Sequence, residues 1–231
     1  MKAPQSYVEW INKHLGFNPR SQANSDALSD FVVADLRRTC KALNRAMASG
    51  ELILRKNATV RTKVAGRSVD LVLNEQAALP TISVQLSVEH KSIMTAHGKA
   101  RWNRYGDLIA YCNHVHNHRR NCIAAGVVVV NVSLAYLNPD AFARRLKRPK
   151  LDMRKVVADT VKIFAAVPLR DDPRDPNDQP EALAVVLVDY DGVHRSRLVT
   201  GGLAPRAGST IHYDAFIRRI CGLYEQRFRK G

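Results

Sequence analysis

The apolar residues between Leu28 and Met47 recur at steps of three and four along the chain. Because this spacing places them on one face of a helix, it predicts an amphipathic helix over about 25–49, ended by Gly50. Alternating apolar and polar positions follow, and this alternation is typical of strands. It predicts two short strands and then two longer ones, over 52–54, 58–63, 68–74 and 83–91.

A second helix is predicted over about 96–116, followed by a strand over 123–132 whose run of four valines is typical of a strand covered on both faces. We expect the helix to bury one stripe of side chains, formed by Trp102, Tyr105, Ile109, Cys112 and His116. A separate polar stripe contains His97, Arg101 and Arg104.

The rest of the chain carries weaker patterns. They predict a basic helical stretch over 139–150 that continues through 153–164, then a strand pair over 182–190 and 196–199, and a closing helix over 213–229. The acidic segment 171–181 contains three prolines and is predicted to be a flexible loop. Together the elements predict an α/β protein whose mixed central sheet is flanked by helices, with an α+β extension at the C-terminal side.

Composition narrows the class of protein. The 231 residues are 45% hydrophobic, and four widely spaced cysteines form no CxxC pair, which argues against a disordered chain or a disulfide scaffold. No apolar run is long enough to cross a membrane, and the N-terminus has no secretory signal pattern. We therefore expect an intracellular, cytoplasmic protein, from a prokaryote, with reduced thiols and no membrane partner.

The net charge of the chain indicates what kind of partner it binds. Lys and Arg exceed Asp and Glu by 36 to 21, giving +15, and the sequence pI is about 10.1. Positive charge spread over a folded domain favours nucleic acid as the partner, because the phosphate backbone attracts it regardless of sequence.

Candidate chemistry lies on two adjacent predicted strands. Asp70 is on the first, and Glu89 and Lys91 are two positions apart on the second, so the strand period places both on the same face. Two carboxylates suit Mg²⁺, which takes oxygen ligands and leaves positions for substrate phosphate. A lysine beside the metal can orient the attacking water and offset negative charge that builds in the transition state.

These residues resemble the PD-(D/E)XK nuclease superfamily, the restriction-endonuclease-like fold. Ser68-Val69-Asp70 stands where that family has Pro-Asp, and Glu89-His90-Lys91 stands as its Glu-X-Lys, nineteen residues after Asp70. The resemblance covers about 25–132 and includes the family's αβββαβ order of elements. Ser68-Val69 departs from the family's proline.

The resemblance implies a metal site and its surroundings. Asp70, Glu89 and the main-chain carbonyl of His90 would hold Mg²⁺, with Mn²⁺ as a substitute, and Lys91 would position the nucleophilic water. Many members add an acidic residue from the first helix, where the candidates are Asp26, Asp30 and Asp35; helical phase favours Asp35.

Cationic residues outside this motif are candidates for contacts to the DNA backbone. One group lies at the start of the second helix and the other in the densest basic run of the chain. These residues are His97, Lys99, Arg101, Arg104, Arg144, Arg145, Lys147 and Arg148. An ordinary solvated basic face is the alternative for both groups.

The segment from Cys112 to Cys122 offers a different interpretation. Cys112 and His116, and likewise His114 and His118, are one helical turn apart, as zinc ligands can be. The two pairs point to opposite sides of a helix, however, so a polar helix end is the favoured interpretation.

The sequence as a whole predicts a single nuclease domain over 1–231, with a core at about 25–132 and an elaboration at 133–231. We expect a Mg²⁺-dependent endonuclease that cuts double-stranded DNA at specific sequences as a restriction enzyme. A homodimer is expected, because two-fold symmetry pairs two active sites across a symmetric target.

Three alternatives remain open. One is a repair or junction-resolving nuclease of the same fold, and another is an RNA-cleaving toxin of that fold. The third is a non-catalytic basic nucleic-acid-binding protein in which Asp70, Glu89 and Lys91 form a structural ion-pair cluster. An exposed Glu89–Lys91 pair would contribute only about 0–1 kcal/mol to stability.

Overall fold

The computed structural model describes residues 2–14, 18, 21–75, 84–133 and 152–229. Within these residues the chain forms an α/β structure with six helices and one six-stranded mixed sheet. The helices are α1 (Ala3–Lys13), α2 (Gln22–Thr39), α3 (Lys41–Ala48), α4 (His97–His118), α5 (Met153–Ala165) and α6 (Tyr213–Phe228). The strands are β1 (Leu52–Arg61), β2 (Gly66–Glu75), β3 (Val84–Ile93), β4 (Ile123–Asn131), β5 (Ala182–Asp189) and β6 (Arg197–Val199).

The strands lie in the sheet in chain order. β1, β2 and β3 form an antiparallel meander, β4 pairs parallel to β3 after the α4 crossover, and β5 pairs parallel to β4. β6 closes the sheet as an antiparallel edge strand. The same sheet therefore runs through both the segment predicted as a core and the segment predicted as an elaboration.

Helices cover both faces of the sheet and create two apolar cores. The first core joins the sheet to α1, α2, α3 and α6, and the second joins it to α4 and α5. β4 supplies both in alternation, with Val127 and Val129 in the first core and Val128 and Val130 in the second. Every residue of β4 is buried, as its valine run predicts.

The helix predicted over 25–49 is two helices. α2 ends at Thr39, and Cys40 takes an extended conformation before α3 begins. A helix that the periodicity analysis did not identify, α1, precedes them. Pro4 lies in its first turn, where proline costs no hydrogen bond, and Tyr7 and Ile11 bury one face against α2.

The acidic segment 171–181 is a loop, as predicted, and it is held to the fold by hydrogen bonds. The fully buried Arg170 guanidinium ties this loop down by donating to the carbonyl oxygens of Arg120 (2.8 Å) and Asp175 (3.2 Å). It also donates to the Glu181 carboxylate at 2.9 Å. The basic stretch 139–150 lies outside the described residues.

The outer part of the β1–β2 hairpin is rotated relative to its base. In β2, Leu71 packs in the first core but Val69 packs in the second, although regular alternation would place both on one side. In β1 the side chains also switch from one face of the sheet to the other, and the switch occurs at Asn57, whose φ is +52°. The predicted strand break between 54 and 58 is therefore a change of face within one continuous strand.

Pairing between β2 and β3 extends only from Asn74 and Val84 to Leu71 and Val88. Beyond that point β2 stays with β1, and β3 stays with β4 as far as Ile93. The two strands thus separate into a fork, and Asp70 and Glu89 are the first residues past it.

Among the described residues, no helix combines the length and the apolar character needed to cross a membrane.

Gly126 allows α4 to pack closely on β4, and its replacement by alanine is expected to lower the free energy of unfolding. An added Cβ would lie 2.7 Å from Leu108 Cδ1 and 3.2 Å from Leu183 Cδ1. We expect Gly126→Ala to cost about 1–3 kcal/mol in urea denaturation, because overpacking strains a filled core.

The matched control is Gly106→Ala on the exposed face of α4, where a Cβ meets nothing within 4 Å. This change should stabilise the protein by about 1 kcal/mol through helix propensity. Equal effects of the two substitutions would contradict the packing described here.

Candidate functional site

The fork between β2 and β3 places Asp70 beside the start of α2. The Asp70 carboxylate accepts a hydrogen bond from Ser25 Oγ at 2.6 Å and another from the His90 main-chain N–H at 2.7 Å. The second bond spans the gap where the strands no longer pair. Asp70 is therefore fixed in position by groups from α2 and β3.

Glu89 and Lys91 share a face of β3, as the two-residue period predicts. Lys91 Nζ lies 2.5 Å from Glu89 Oε1, and Arg67 Nη2 approaches the same oxygen at 3.5 Å. Glu89 is 4% exposed. Glu89 is thus buried and Lys91 is only partly exposed, whereas the ion-pair interpretation has both on an exposed sheet face.

Burial raises the pKa of Glu89, and the neighbouring Asp70 carboxylate raises it further. Lys91 and Arg67 act in the opposite direction. The other carboxylate oxygen, Oε2, is buried and has no hydrogen-bond partner among the described residues. One oxygen of Glu89 therefore has no hydrogen-bond partner among the described residues, and burial makes the ionised form of the carboxyl unfavourable.

A polar cavity of about 270 Å³ opens at the fork. Asp70, Lys91 and Arg104 line it together with the first turns of α2. Arg104 is held by Ser92 O (3.3 Å) and by Asp107 Oδ2 (2.8 Å). Glu89 stands behind Lys91, outside the cavity lining.

His90 points to the opposite face of β3 from Glu89 and Lys91. Its Nε2 lies 2.9 Å from Ser29 Oγ, and its Nδ1 is buried without a partner among the described residues. Burial lowers the pKa of His90 to about 4, so the ring is neutral at pH 7. Sequence reasoning used only the main chain of His90.

Sequence reasoning also missed Ser25, Ser29 and Arg67. The first two are one helical turn apart and therefore lie on the same side of α2. That spacing was a usable signal. No local pattern singled out Arg67, whose approach to Glu89 depends on the rotation of the hairpin.

The structure does not bring Asp35 to this site. Its carboxylate accepts from the Ala3 main-chain N–H at 2.7 Å and from Arg38 at 2.5 Å. Asp35 is ten residues beyond Ser25 on α2, a rise of about 15 Å along the helix. Asp26 is nearer, but Gln22 and Asn57 donate to its carboxylate.

The stripe of α4 predicted to face a phosphate backbone largely faces inward. His97 is 1% exposed and its Nε2 bonds to Asn131 O at 2.7 Å, so it is a core residue. Burial lowers the pKa of His97. Arg101 is mostly buried and approaches Asp159 at 3.6 Å, and Lys99 is exposed.

Within that stripe only Arg104 reaches the cavity. Trp102, predicted to be buried, is 55% exposed. The predicted phase of α4 is therefore wrong in its first half. The predicted contacts Arg144, Arg145, Lys147 and Arg148 lie outside the described residues.

The histidines of the 112–122 segment have other partners. His114 and His118 bond to the β1 carbonyl oxygens of Val60 (2.9 Å) and Arg61 (2.5 Å), while His116 Nε2 lies 2.9 Å from Glu181. In the part of the chain that the structure describes, no group of three or more His, Cys, Asp or Glu side chains is arranged to hold a metal ion.

Comparison with protein-family models, with curated proteins and with solved structures finds no match to this chain.

The raised pKa of Glu89 predicts how stability depends on pH. A carboxyl that binds its proton more tightly in the folded state makes the protein lose stability as pH rises from the ordinary value of 4.5 through the raised pKa. Glu89→Gln should remove this part of the pH profile of the free energy of unfolding, measured by urea titration.

Glu75→Gln serves as a control of opposite sign. The hydrogen bond from Gln85 lowers the pKa of Glu75, so its contribution is present above the ordinary value and is lost as pH falls through the lowered pKa. A wild-type profile that Glu89→Gln leaves unchanged would contradict the raised pKa of Glu89.

Proposed function

We propose that this protein is a Mg²⁺-dependent endonuclease that hydrolyses DNA phosphodiester bonds and acts as a restriction endonuclease. The observation that carries this proposal is the fork between β2 and β3. There Asp70, Lys91 and Arg104 line one cavity, and Glu89 forms an ion pair with Lys91 just behind that lining.

The order of elements supports the proposal. A helix precedes three antiparallel strands, a second helix crosses over, and the fourth strand pairs parallel to the third. This is the αβββαβ order that the resemblance to PD-(D/E)XK nucleases implies. The two strands that carry the motif separate at the motif itself, which gives a substrate access to both.

The donor set fits a hard divalent cation. Asp70 and Glu89 supply carboxylate oxygens, and Glu89 Oε2 has no partner among the described residues. We propose that these two residues and the main-chain carbonyl of His90 hold Mg²⁺. When bound, Mg²⁺ supplies positive charge that polarises the scissile phosphate.

The side chains of this chain carry the other roles. Lys91 faces both the cavity and Glu89, so its ammonium group can hold the attacking water and offset charge on a phosphorane-like transition state. Arg104 can bind a non-bridging phosphate oxygen. The resemblance implies products with a 5′-phosphate and a 3′-hydroxyl, and a homodimer acting on double-stranded DNA.

A second candidate function has its own support. Glu89, Lys91 and Arg67 form a compact, nearly buried ion-pair cluster, which can also be purely structural. The protein would then bind nucleic acid through its net charge of +15 without cutting it. Dependence on divalent metal separates the two functions.

The direct test is digestion of supercoiled plasmid and phage DNA, methylated and unmethylated, with Mg²⁺ or with EDTA. We expect discrete fragments that require Mg²⁺. Glu89→Ala and Lys91→Ala should each lower the cleavage rate by about 100-fold or more while the protein still binds DNA, because transition-state stabilisation is removed.

Glu75→Gln is the matched control, since it removes a carboxylate from the far end of β2 and should cut as the wild type does. DNA that stays intact on every substrate, alongside a salt-sensitive gel shift, would favour the non-catalytic binder.

Metal binding has a readout that does not require cleavage. At a concentration about 100 times its Kd, Mg²⁺ or Mn²⁺ should stabilise the protein by about 2.7 kcal/mol and raise the melting temperature by about 5–10 °C. Asp70→Asn and Glu89→Gln should abolish this rise, whereas Glu75→Gln should keep it. An equal rise in all four proteins would place the metal elsewhere.

A further inference from the structure

The outer part of the β1–β2 hairpin is a two-stranded ribbon, residues 58–61 and 66–69, joined by the turn 62–65. Its inner face carries Val60 and Val69, which are fully buried in the second core. Its outer face carries small or cationic residues, all exposed. These are Thr59, Arg61, Gly66 and Ser68.

Positive charge is concentrated here. Between positions 52 and 69 the chain has five cationic residues and no acidic one. Lys56 pairs with Asp30, and Arg67 approaches Glu89. Among the described carboxylates, none pairs with Arg61 or Lys63, so the ribbon presents uncompensated cations to solvent.

Hydrogen bonds close the turn 62–65, which carries an apolar side chain at its tip. Thr62 N donates to Ala65 O at 2.8 Å, and Thr62 Oγ1 accepts from Ala65 N at 3.1 Å. This closed turn projects Val64, which is 95% exposed. Val64 therefore lies at the tip of the ribbon, where its methyl groups are available to a partner that the flanking cations bring close.

The ribbon is fixed against α4. His114 and His118 bond to the carbonyl oxygens of Val60 and Arg61, and Arg67 donates to Asp107 O at 3.2 Å. Its backbone is thus held in one place before any partner arrives. Ser68 is two residues from Asp70, so the outer face begins about 7 Å from the candidate site.

We infer that this ribbon enters the major groove of duplex DNA and is the groove-contacting element of the enzyme, an inference that rests on the proposed nuclease function. The major groove admits a two-stranded β-ribbon, and small residues on its outer face permit close approach. Arg61 and Lys63 contact phosphate or guanine, and Val64 contacts a thymine methyl group.

The test measures binding without cleavage. The full chain is titrated against a fluorescent mixed-sequence duplex in EDTA and again in Ca²⁺. The double variant Arg61→Ala/Lys63→Ala should bind about 10-fold more weakly or worse. The magnitude of the salt slope of log K should fall by about 1 for each removed cation that neutralises a phosphate, and so by about 1–2 in total.

Lys41→Ala/Arg45→Ala is the matched control. It removes the same charge from exposed positions of α3, which belongs to the core on the opposite face of the sheet. This variant should bind as the wild type does. Circular dichroism and thermal melting should show that both double variants are folded.

The groove is tested with modified DNA. A duplex carrying glucosylated 5-hydroxymethylcytosine, which fills the major groove, should bind at least about 10-fold more weakly. A minor-groove ligand such as netropsin should compete little. Equal binding by the two double variants would overturn the inference. Competition by netropsin without any weakening on glucosylation would also overturn it, and so would binding to single strands only.

The outcomes also separate this inference from the nuclease proposal. Duplex binding that depends on the ribbon, in a protein that cuts nothing with Mg²⁺, would support the ribbon and refute the nuclease. Cleavage that depends on Glu89 and Lys91, with ribbon variants that bind normally, would refute the ribbon alone.

Discussion

The hydrogen bond from the His90 main-chain N–H to the Asp70 carboxylate spans the place where β2 and β3 separate. An antiparallel pair would normally satisfy that N–H with a carbonyl oxygen of the neighbouring strand, and a buried unpaired N–H is costly. Here a side chain takes that role, so the fork can open without leaving the backbone group unsatisfied. The same carboxylate also accepts from Ser25, which ties the fork to α2.

Charge balance around Glu89 links stability to chemistry. A carboxylate that is 4% exposed is tolerated because Lys91 and Arg67 are close, yet one of its oxygens has no partner among the described residues. Such an arrangement contributes little to folding compared with a well-packed apolar group of the same size. Under the proposed function this oxygen is the one that would receive Mg²⁺, and functional sites are where unfavourable burial is commonly retained.

Much of the fold could be predicted from the sequence because its strands alternate strongly. β3 and β4 lie where the pattern predicts them, and the shared face of Glu89 and Lys91 follows from the strand period alone. The flip between Val69 and Leu71 could not be predicted, because it depends on the left-handed conformation of Asn57 on the neighbouring strand.

The buried side of α4 could not be predicted from its local sequence either. An aromatic residue, Trp102, suggested the buried side, but the stems of Arg101 and Arg104 cover that side instead, as long cationic side chains can. Asp35 was chosen by helical phase, which gives the side of a helix but not the distance along it. The level of the site along α2 is set by where β2 and β3 contact that helix, at Ser25 and Ser29.

The buried carboxylate of Glu181 joins parts of the chain that are far apart in sequence. Its partners are His116, Arg170 and Arg227, separated from it by 65, 11 and 46 residues. The two longer-range contacts require large loops to close, and closing them costs chain entropy. Until α6 docks, Glu181 lacks one of its two guanidinium partners, and β5 is left with an incompletely neutralised end. Docking of α6 thus supplies a charge partner for Glu181 and also covers the first apolar core. A chain in which α6 is undocked would expose that core to association with other chains.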